Sequence, residues 1–265
     1  MFGGAALGAC ALALLAAGGC AGGRALAGAS PRVAAADTAY ASGGARVLVE
    51  RFAPAGRGRH PAVLVLHPSD GPAGSGGAYV RRWAELFAEH GYVAYVVHYF
   101  DRTGDTRTDD AREDAAFPQW TDALADAVTF AERDGAVRPG RVGVFGYSLG
   151  AWVGLALGAR DPRVGAVVGV GSGFFDALRP TVRRLPPTLL LHGRDDDVVP
   201  LARALAVDSA LARLGVAHQL VVYPGQKHGL DGDAEADARA RALRWMDREL
   251  RPRGLLGRAR GAAAE

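Results

Sequence analysis

Short apolar runs alternate along this chain with longer stretches in which apolar residues recur every three or four positions. The run at residues 61–67 is continuous, as expected of a strand that is buried on both faces. We predict a further strand in the run that follows Arg141. The other predicted strands lie at residues 46–52, 61–67, 92–99, 164–170, 188–192 and 217–223.

The helical spacing predicts helices at residues 79–90, 117–133, 151–159, 200–214 and 234–250. Because strands and helices alternate, we predict an α/β fold with a mostly parallel central sheet and helices on both faces. No repeat or linker divides residues 32–251, which we interpret as one domain, and residues 252–265 are expected to be a frayed tail. Residues 100–115 are polar and charged, which indicates either an active-site loop or lid, or a loop that only extends into solvent.

The beginning of the chain has a different pattern. Residues 5–17 are almost wholly Ala, Leu and Gly, a stretch too short to span a bilayer but suited to the apolar part of a secretory signal. The motif Ala-Gly-Gly-Cys would make Cys20 a lipidated first residue, whereas cleavage near Ala27 would suit an ordinary signal peptidase. A disordered low-complexity leader is the alternative. We expect residues 1–31 to lie outside the fold, and the protein to be exported: periplasmic, extracellular or membrane-anchored through Cys20.

The charge and the cysteine content exclude some classes of function. The 31 basic and 28 acidic residues give a formal net charge of +3, and the basic residues are scattered, so we expect no nucleic-acid surface. Cys10 and Cys20 are the only cysteines, which leaves the predicted domain without a disulfide or a cysteine nucleophile. The histidines are dispersed and lack ligand spacing, so neither a metal nor another cofactor is expected.

The sequence Gly-Tyr-Ser-Leu-Gly at residues 146–150 lies between a predicted strand and a predicted helix. This motif in that setting is typical of a nucleophile elbow, a strained turn that exposes the Ser148 hydroxyl above the sheet. A side chain at Gly146 or Gly150 would collide with the neighbouring strand or helix. The Leu149 N–H, at the start of the helix, is unpaired and points at the same space. The alternative is a glycine-rich turn with a bystander serine, in a chain with 37 glycines.

Candidate partners for Ser148 follow two later strands. Three aspartates at residues 195–197 come directly after one strand, where a carboxylate is placed to orient an imidazole, unless they only solvate the loop or cap the next helix. His228 lies in a glycine-flanked loop after the last strand. The order serine, aspartate, histidine is that of an α/β-hydrolase. We therefore predict that His228 takes the Ser148 proton while an aspartate holds the imidazole.

The oxyanion formed in such a reaction needs two hydrogen-bond donors, and the Leu149 N–H is one of them. The other should come from the loop after the strand at residues 61–67. Because Pro68 has no N–H, Ser69 is the better candidate and Asp70 the second. We interpret His67, at the end of that strand, as structural rather than as a second catalytic histidine.

Taken together, these residues resemble the dienelactone hydrolase family of α/β-hydrolases. The resemblance covers most of the predicted domain and lies in residues 66–71, 91–93, 99–104, 146–150, 161–164, 193–200 and 223–229. It implies an α/β-hydrolase fold, and it assigns the acid to Asp196, three residues after Gly193 and three before Val199. The founding members use a cysteine nucleophile, so Ser148 implies a general ester or lactone hydrolase rather than an enzyme for dienelactone itself.

The sequence therefore predicts a serine hydrolase that cleaves small-molecule carboxylic esters or lactones through an acyl-enzyme. Ser148 would be the nucleophile, His228 the general base and acid, and Asp196 the orienting acid, with Leu149 and Ser69 as oxyanion donors. The alternatives are a peptidase or an acyltransferase on the same fold, or a surface lipoprotein that binds without turnover. Four aromatic residues either wall an acyl pocket or pack in the core: Tyr147, Trp152, Phe174 and Phe175.

Overall fold

The computed structural model describes residues 33–251, which form an eight-stranded sheet flanked by five α-helices. The strands are β1 (Val33–Ser42), β2 (Ala45–Pro54), β3 (Ala62–Leu66), β4 (Val93–Val97), β5 (Val142–Tyr147), β6 (Val164–Val170), β7 (Thr188–Gly193) and β8 (His218–Tyr223). The helices are α1 (Ser75–Glu89), α2 (Asp110–Glu132), α3 (Leu149–Arg160), α4 (Leu201–Arg213) and α5 (Gly232–Leu250). A short 3₁₀ helix occupies Tyr99–Arg102.

The strand order is β1-β2-β4-β3-β5-β6-β7-β8. β1 pairs with β2, and β2 with β4, in antiparallel fashion, and the pairs from β4 onwards are all parallel. This confirms the predicted α/β class and the mostly parallel sheet. Since the carboxyl ends of parallel strands lie at one edge, the loops after β3, β5, β6, β7 and β8 gather there.

Two hydrophobic cores cover the two faces of the sheet, because neighbouring residues of a strand point to opposite sides. In β7, Leu190 packs on the face covered by α2, α3 and α4, whereas Leu189 and Leu191 pack on the face covered by α1 and α5. Each of these leucines is almost completely buried. The continuous apolar runs of the sequence therefore supply both cores at once.

The hairpin of β1 and β2 was not foreseen in full, since the sequence predicts only its second strand. Ten residue pairs join the two strands, from Val33 opposite Pro54 to Ser42 opposite Ala45. The turn consists of Gly43 and Gly44, whose φ angles of +48° and +85° suit a tight hairpin. The alanine-rich β1 alternates too weakly to be recognised, whereas the Gly-Gly pair is the signal that indicates a hairpin.

The prediction of a loop over residues 100–115 is wrong at both ends. A 3₁₀ helix covers its first residues, and α2 begins at Asp110 rather than at Phe117. The Asp109 side chain caps α2 by accepting a hydrogen bond from the Arg112 N–H at 3.1 Å, and acidic residues in the first turn favour the same start.

The predicted leader at residues 1–31, with Cys20 and Ala27, and the predicted tail at residues 252–265 lie outside the described residues. Within residues 33–251, the helices are all too short or too polar to cross a membrane.

Candidate active site

The turn between β5 and α3 holds Ser148 in a strained conformation. Its φ of 54° and ψ of −126° make it the one non-glycine residue with positive φ among residues 33–251. Such a conformation costs on the order of 1–3 kcal/mol, so the surroundings must impose it. One restraint is the Ser148 N–H, which donates to the Val170 carbonyl of the adjacent strand at 2.8 Å.

The two glycines of the motif are required by packing. A Cβ built on Gly146 would lie 2.3 Å from the carbonyl of Gly150, and one built on Gly150 would lie 2.3 Å from the carbonyl oxygen of Leu66. Backbone atoms cannot move aside as a flexible side chain can. The start of α3 is thus pressed against the ends of β5 and β3, as the motif predicts.

Of the three aspartates after β7, only Asp196 is buried, and its carboxylate is fully enclosed. Its Oδ1 accepts hydrogen bonds from the N–H groups of Val198 at 3.0 Å and Val199 at 2.8 Å. Asp195 and Asp197 are exposed, and Asp197 pairs instead with Lys227 at 3.3 Å. Burial and hydrogen bonding therefore distinguish Asp196 from the neighbours that resemble it in sequence.

His228, on the loop after β8, contacts this carboxylate directly. Its Nδ1 lies 2.9 Å from Oδ2 and 3.1 Å from Oδ1 of Asp196. The two loops are also joined through their backbones, because the Asp195 N–H donates to the Gln226 carbonyl at 3.0 Å and the Arg194 N–H to the Tyr223 carbonyl at 2.9 Å. The carboxylate thus fixes the imidazole with Nδ1 as the donor.

Ser148 and His228 line the same cavity of about 400 Å³. No hydrogen bond joins their side chains within the part of the chain that the structure describes. Contacts of this kind are often long in a protein without substrate and shorten when substrate binds. The sheet therefore brings the three residues to one edge, with the histidine and aspartate in contact and the serine beside the same cavity.

The two predicted oxyanion donors both lie near Ser148. Leu149 is the first residue of α3, where an N–H has no acceptor within the helix. Ser69 lines two cavities together with Ser148. Its loop turns sharply, with the Gly71 N–H donating to the Pro68 carbonyl at 3.0 Å. Both candidates are thus near Ser148, and Pro68 has no N–H with which to compete.

His67 is completely buried and lies among aromatic rings. Its ring stacks on Tyr99 at a centroid distance of 4.1 Å, and it makes a T-shaped contact with Phe100 at a centroid distance of 4.7 Å. Burial lowers the pKa of His67 to about 3, so the ring is neutral at working pH. These contacts support the structural interpretation of this residue.

A second cavity, of about 340 Å³, is also lined by Ser148. Its walls combine aromatic, acidic and basic side chains: Trp152, Phe175, Asp110, Glu113, Asp114, Asp176 and Arg203. Burial, together with the neighbouring aspartates, raises the pKa of Glu113 to about 7. The sequence indicated residues 100–115 as a possible active-site loop, but it singled out none of the acidic residues at the start of α2 that line this cavity.

The four aromatic candidates divide between the cavity walls and the core. Tyr147 lines the first cavity, and Trp152 and Phe175 line the second. Phe174 packs in the core that faces α2 and α3. As for metal ligands, residues 33–251 contain no group of three or more His, Cys, Asp or Glu side chains suited to hold an ion.

A strained serine turn after β5, an acid after β7 and a histidine after β8, on a mostly parallel sheet, define the α/β-hydrolase class. The model of the dienelactone hydrolase family matches residues 48–249. The chain belongs to this family, and it is a carboxylic ester hydrolase of that type.

Individual relatives and solved structures are similar to this chain over most of its length. A protein of Synechocystis sp. that carries the provisional name carboxymethylenebutenolidase is 24% identical over 215 residues, which cover 73% of this chain and 85% of the relative. A dienelactone hydrolase from Anabaena variabilis has a similar fold, with a TM-score of 0.65 at 23% identity over 83% of this chain and 100% of the other. A cold-adapted esterase from an Arctic intertidal metagenomic library gives a TM-score of 0.62 at 23% identity over 84% and 96%.

Proposed function

We propose that this protein hydrolyses small carboxylic esters or lactones through an acyl-enzyme, with Ser148 as the nucleophile, His228 as the general base and acid, and Asp196 as the orienting acid. The observation that carries the proposal is the 2.9 Å contact between His228 Nδ1 and Oδ2 of the buried Asp196. The same imidazole lines a cavity together with Ser148. The names of the relatives support an ester or a lactone as the substrate class.

The order of events follows from this geometry. With Nδ1 donating to Asp196, the lone pair of the His228 imidazole is on Nε2, which takes the Oγ proton as Ser148 attacks the carbonyl carbon. The negative charge that develops on the carbonyl oxygen is stabilised by the N–H groups of Leu149 and Ser69. His228 then gives the proton to the leaving oxygen, which leaves an acyl group on Ser148. In the second half of the reaction His228 takes a proton from a water molecule, which attacks the acyl carbon; the proton returns to Ser148 Oγ as the acid is released.

The two cavities that Ser148 lines suit the two parts of an ester. Their volumes of about 340 and 400 Å³ lie in the range of small-molecule sites. Trp152 and Phe175 supply an apolar wall on one side, and Tyr79 and Tyr147 on the other. We therefore expect activity to decrease as the acyl chain lengthens beyond what these cavities hold.

The test is a panel of p-nitrophenyl esters from acetate to decanoate, together with a simple aromatic lactone such as dihydrocoumarin. Ser148→Ala should lower kcat by a factor of roughly 10⁴ or more, as expected when a nucleophile is removed. The matched control is Ser209→Ala, because Ser209 is exposed on α4 and bonds only to the Leu205 carbonyl among the described residues. Full activity in Ser148→Ala would overturn the proposal.

Further assays with peptide amides and with added alcohol separate the alternatives. A peptidase would cleave peptide amides at a measurable rate, whereas a carboxylesterase would not, and an acyltransferase would give more ester than acid when an alcohol is added. A protein that binds without turnover would leave Ser148 unlabelled by a fluorophosphonate probe. We expect labelling of the unaltered protein and none of Ser148→Ala.

We also propose that the protein is exported, on the basis of the apolar stretch at residues 5–17 and the motif that precedes Cys20. Lipidation at Cys20 would place the enzyme on a membrane, whereas cleavage near Ala27 would release it. Mass spectrometry of the mature N-terminus distinguishes the two. A mature protein that still begins at Met1 would contradict both.

A further inference from the structure

A second histidine lies behind the acid of the proposed site. His192, in β7, is completely buried, and its Nε2 is 2.9 Å from the Val199 carbonyl and 3.4 Å from Oδ2 of Asp196. Val199 in turn donates its N–H to Oδ1 of Asp196 at 2.8 Å. We call residues 194–200, the loop after β7 that carries Asp196, the acid loop. Val199 in this loop therefore joins His192 to the carboxylate that contacts His228.

The proton of His192 can be assigned from these contacts. A carbonyl oxygen only accepts, so Nε2 carries the hydrogen and Nδ1 the lone pair. Burial lowers the pKa of His192, which keeps the ring neutral and this tautomer in place at working pH. Nδ1 is buried and has no hydrogen-bond partner among the described residues.

Stability alone does not account for a histidine at this position. A buried nitrogen without a partner loses its hydration without compensation, on the order of 1–3 kcal/mol, and an apolar ring of similar size would avoid that loss. The donor on Nε2 is the feature that an apolar ring lacks. Its acceptors belong to the acid loop, which indicates a role in the site rather than in the core.

We propose that His192 is a positioning residue that fixes Asp196 against His228 by holding the Val199 peptide. This inference rests on the proposed function of Ser148, His228 and Asp196. His192 is fully buried and lines neither cavity, so substrate does not contact it. Its loss should therefore change kcat and leave KM unaltered.

The test compares His192→Phe, which keeps the ring but removes the donor, with His192→Gln, whose amide nitrogen is placed like Nε2. We expect His192→Phe to lower kcat roughly tenfold to 10²-fold, the range for a misplaced catalytic group. The apparent pKa of the acidic limb of kcat/KM should fall, because a carboxylate that drifts from His228 stabilises its imidazolium less. Other titratable groups near His228 are Tyr147, with ring centroids 5.1 Å apart, and Asp197, whose pKa is lowered mainly by Lys227 and in small part by His228. Both are unchanged in the two variants.

His192→Gln should restore most of kcat and return the acidic limb to its original position. The matched control is His218→Phe, since His218 also contacts a loop carbonyl, that of Val216 at 2.6 Å, but at the opposite end of the sheet. Melting temperatures of all variants show whether each is folded. A folded His192→Phe with unchanged kcat, or with an unchanged or raised pKa, would overturn the inference, whereas an active Ser148→Ala would overturn the proposed function itself.

Discussion

Gly171 packs its backbone directly against the imidazole of His228. A Cβ built on Gly171 would lie 2.9 Å from Cε1 and 3.3 Å from Nδ1 of that ring, and the φ of +66° also favours glycine. The residue follows β6, whose own loop carries none of the predicted catalytic groups. The end of β6 therefore helps to set the position of the histidine, although no motif in the sequence indicates it.

Gly171→Ala should displace the His228 ring by a few tenths of an ångström or more, away from Ser148 or from Asp196. Since an error of about 1 Å in a catalytic group can reduce activity by about 10²-fold, we expect kcat/KM to fall at least tenfold. Steady-state kinetics on p-nitrophenyl acetate measure this loss, and far-UV circular dichroism shows that the fold is retained.

The control for backbone strain is Gly215→Ala. Gly215 has nearly the same φ, +65°, but an added Cβ would meet no atom within 4 Å. Both variants should lose about 1 kcal/mol of stability from the unfavourable φ. Only Gly171→Ala should lose activity. Equal activities would mean that the ring tolerates the added methyl group.

The choice among the three aspartates gives a second prediction. Asp196→Asn should lower kcat by roughly 10²–10⁴, because an amide no longer selects the tautomer or stabilises the imidazolium. Asp197→Asn breaks only an exposed pair with Lys227, and should leave kcat within about twofold. Kinetics for the two variants under identical conditions test this assignment, which is contradicted if Asp197→Asn is the more damaging change.

The sequence predicted the fold class and the neighbourhood of the site for a physical reason. In a parallel sheet, every strand ends at the same edge, so residues placed just after β5, β7 and β8 must lie near one another. The strand pattern therefore carries long-range information about Ser148, Asp196 and His228. It does not contain their distances, and Asp196 was chosen over its neighbours through the family resemblance alone.

Other parts of the site depend on packing that the pattern does not express. The acidic wall formed by Asp110 and Glu113 requires α2 to begin at Asp110, and this depends on one cap, Asp109, in a segment with many acidic residues. The contacts of His192 and Gly171 depend on how neighbouring loops meet. Nothing near these two residues in the sequence distinguishes them from an ordinary strand end and an ordinary turn.

A partly buried ion pair between β2 and α1 gives a stability prediction. Glu50 on β2 is 5% exposed, and Arg81 on α1 holds both of its oxygens, at 2.6 and 2.5 Å. Burial would raise the pKa of Glu50, but hydrogen bonds from His98 and Arg81 outweigh it and hold the pKa below its ordinary value. Arg81→Met removes one of the two partners and leaves the carboxylate with His98, at 2.7 Å. Because Arg81 is partly exposed and His98 remains, the change should destabilise the fold by about 1–3 kcal/mol.

Urea unfolding measures this loss, with Arg82→Met as the neighbouring control. Arg82 is exposed on the same helix, so its removal should change stability by no more than about 0.5 kcal/mol. Replacing Glu50 by Gln in the Arg81→Met background should recover part of the loss, since the buried side chain that has lost its arginine partner then carries no charge. Similar losses for the two single variants would contradict the role assigned to Glu50.

Glu113 gives a prediction about pH. Burial and the neighbouring aspartates raise its pKa from 4.5 to about 7, so between these values the folded protein keeps a proton that the unfolded chain releases. The contribution of Glu113 to stability must therefore decrease as the pH rises through this window.

Glu113→Gln carries no charge at any pH and should gain stability relative to the unaltered protein between pH 4.5 and pH 8. Urea unfolding of both proteins across this range measures the difference, and a difference that stays constant with pH would show that the carboxyl group titrates normally in the folded state.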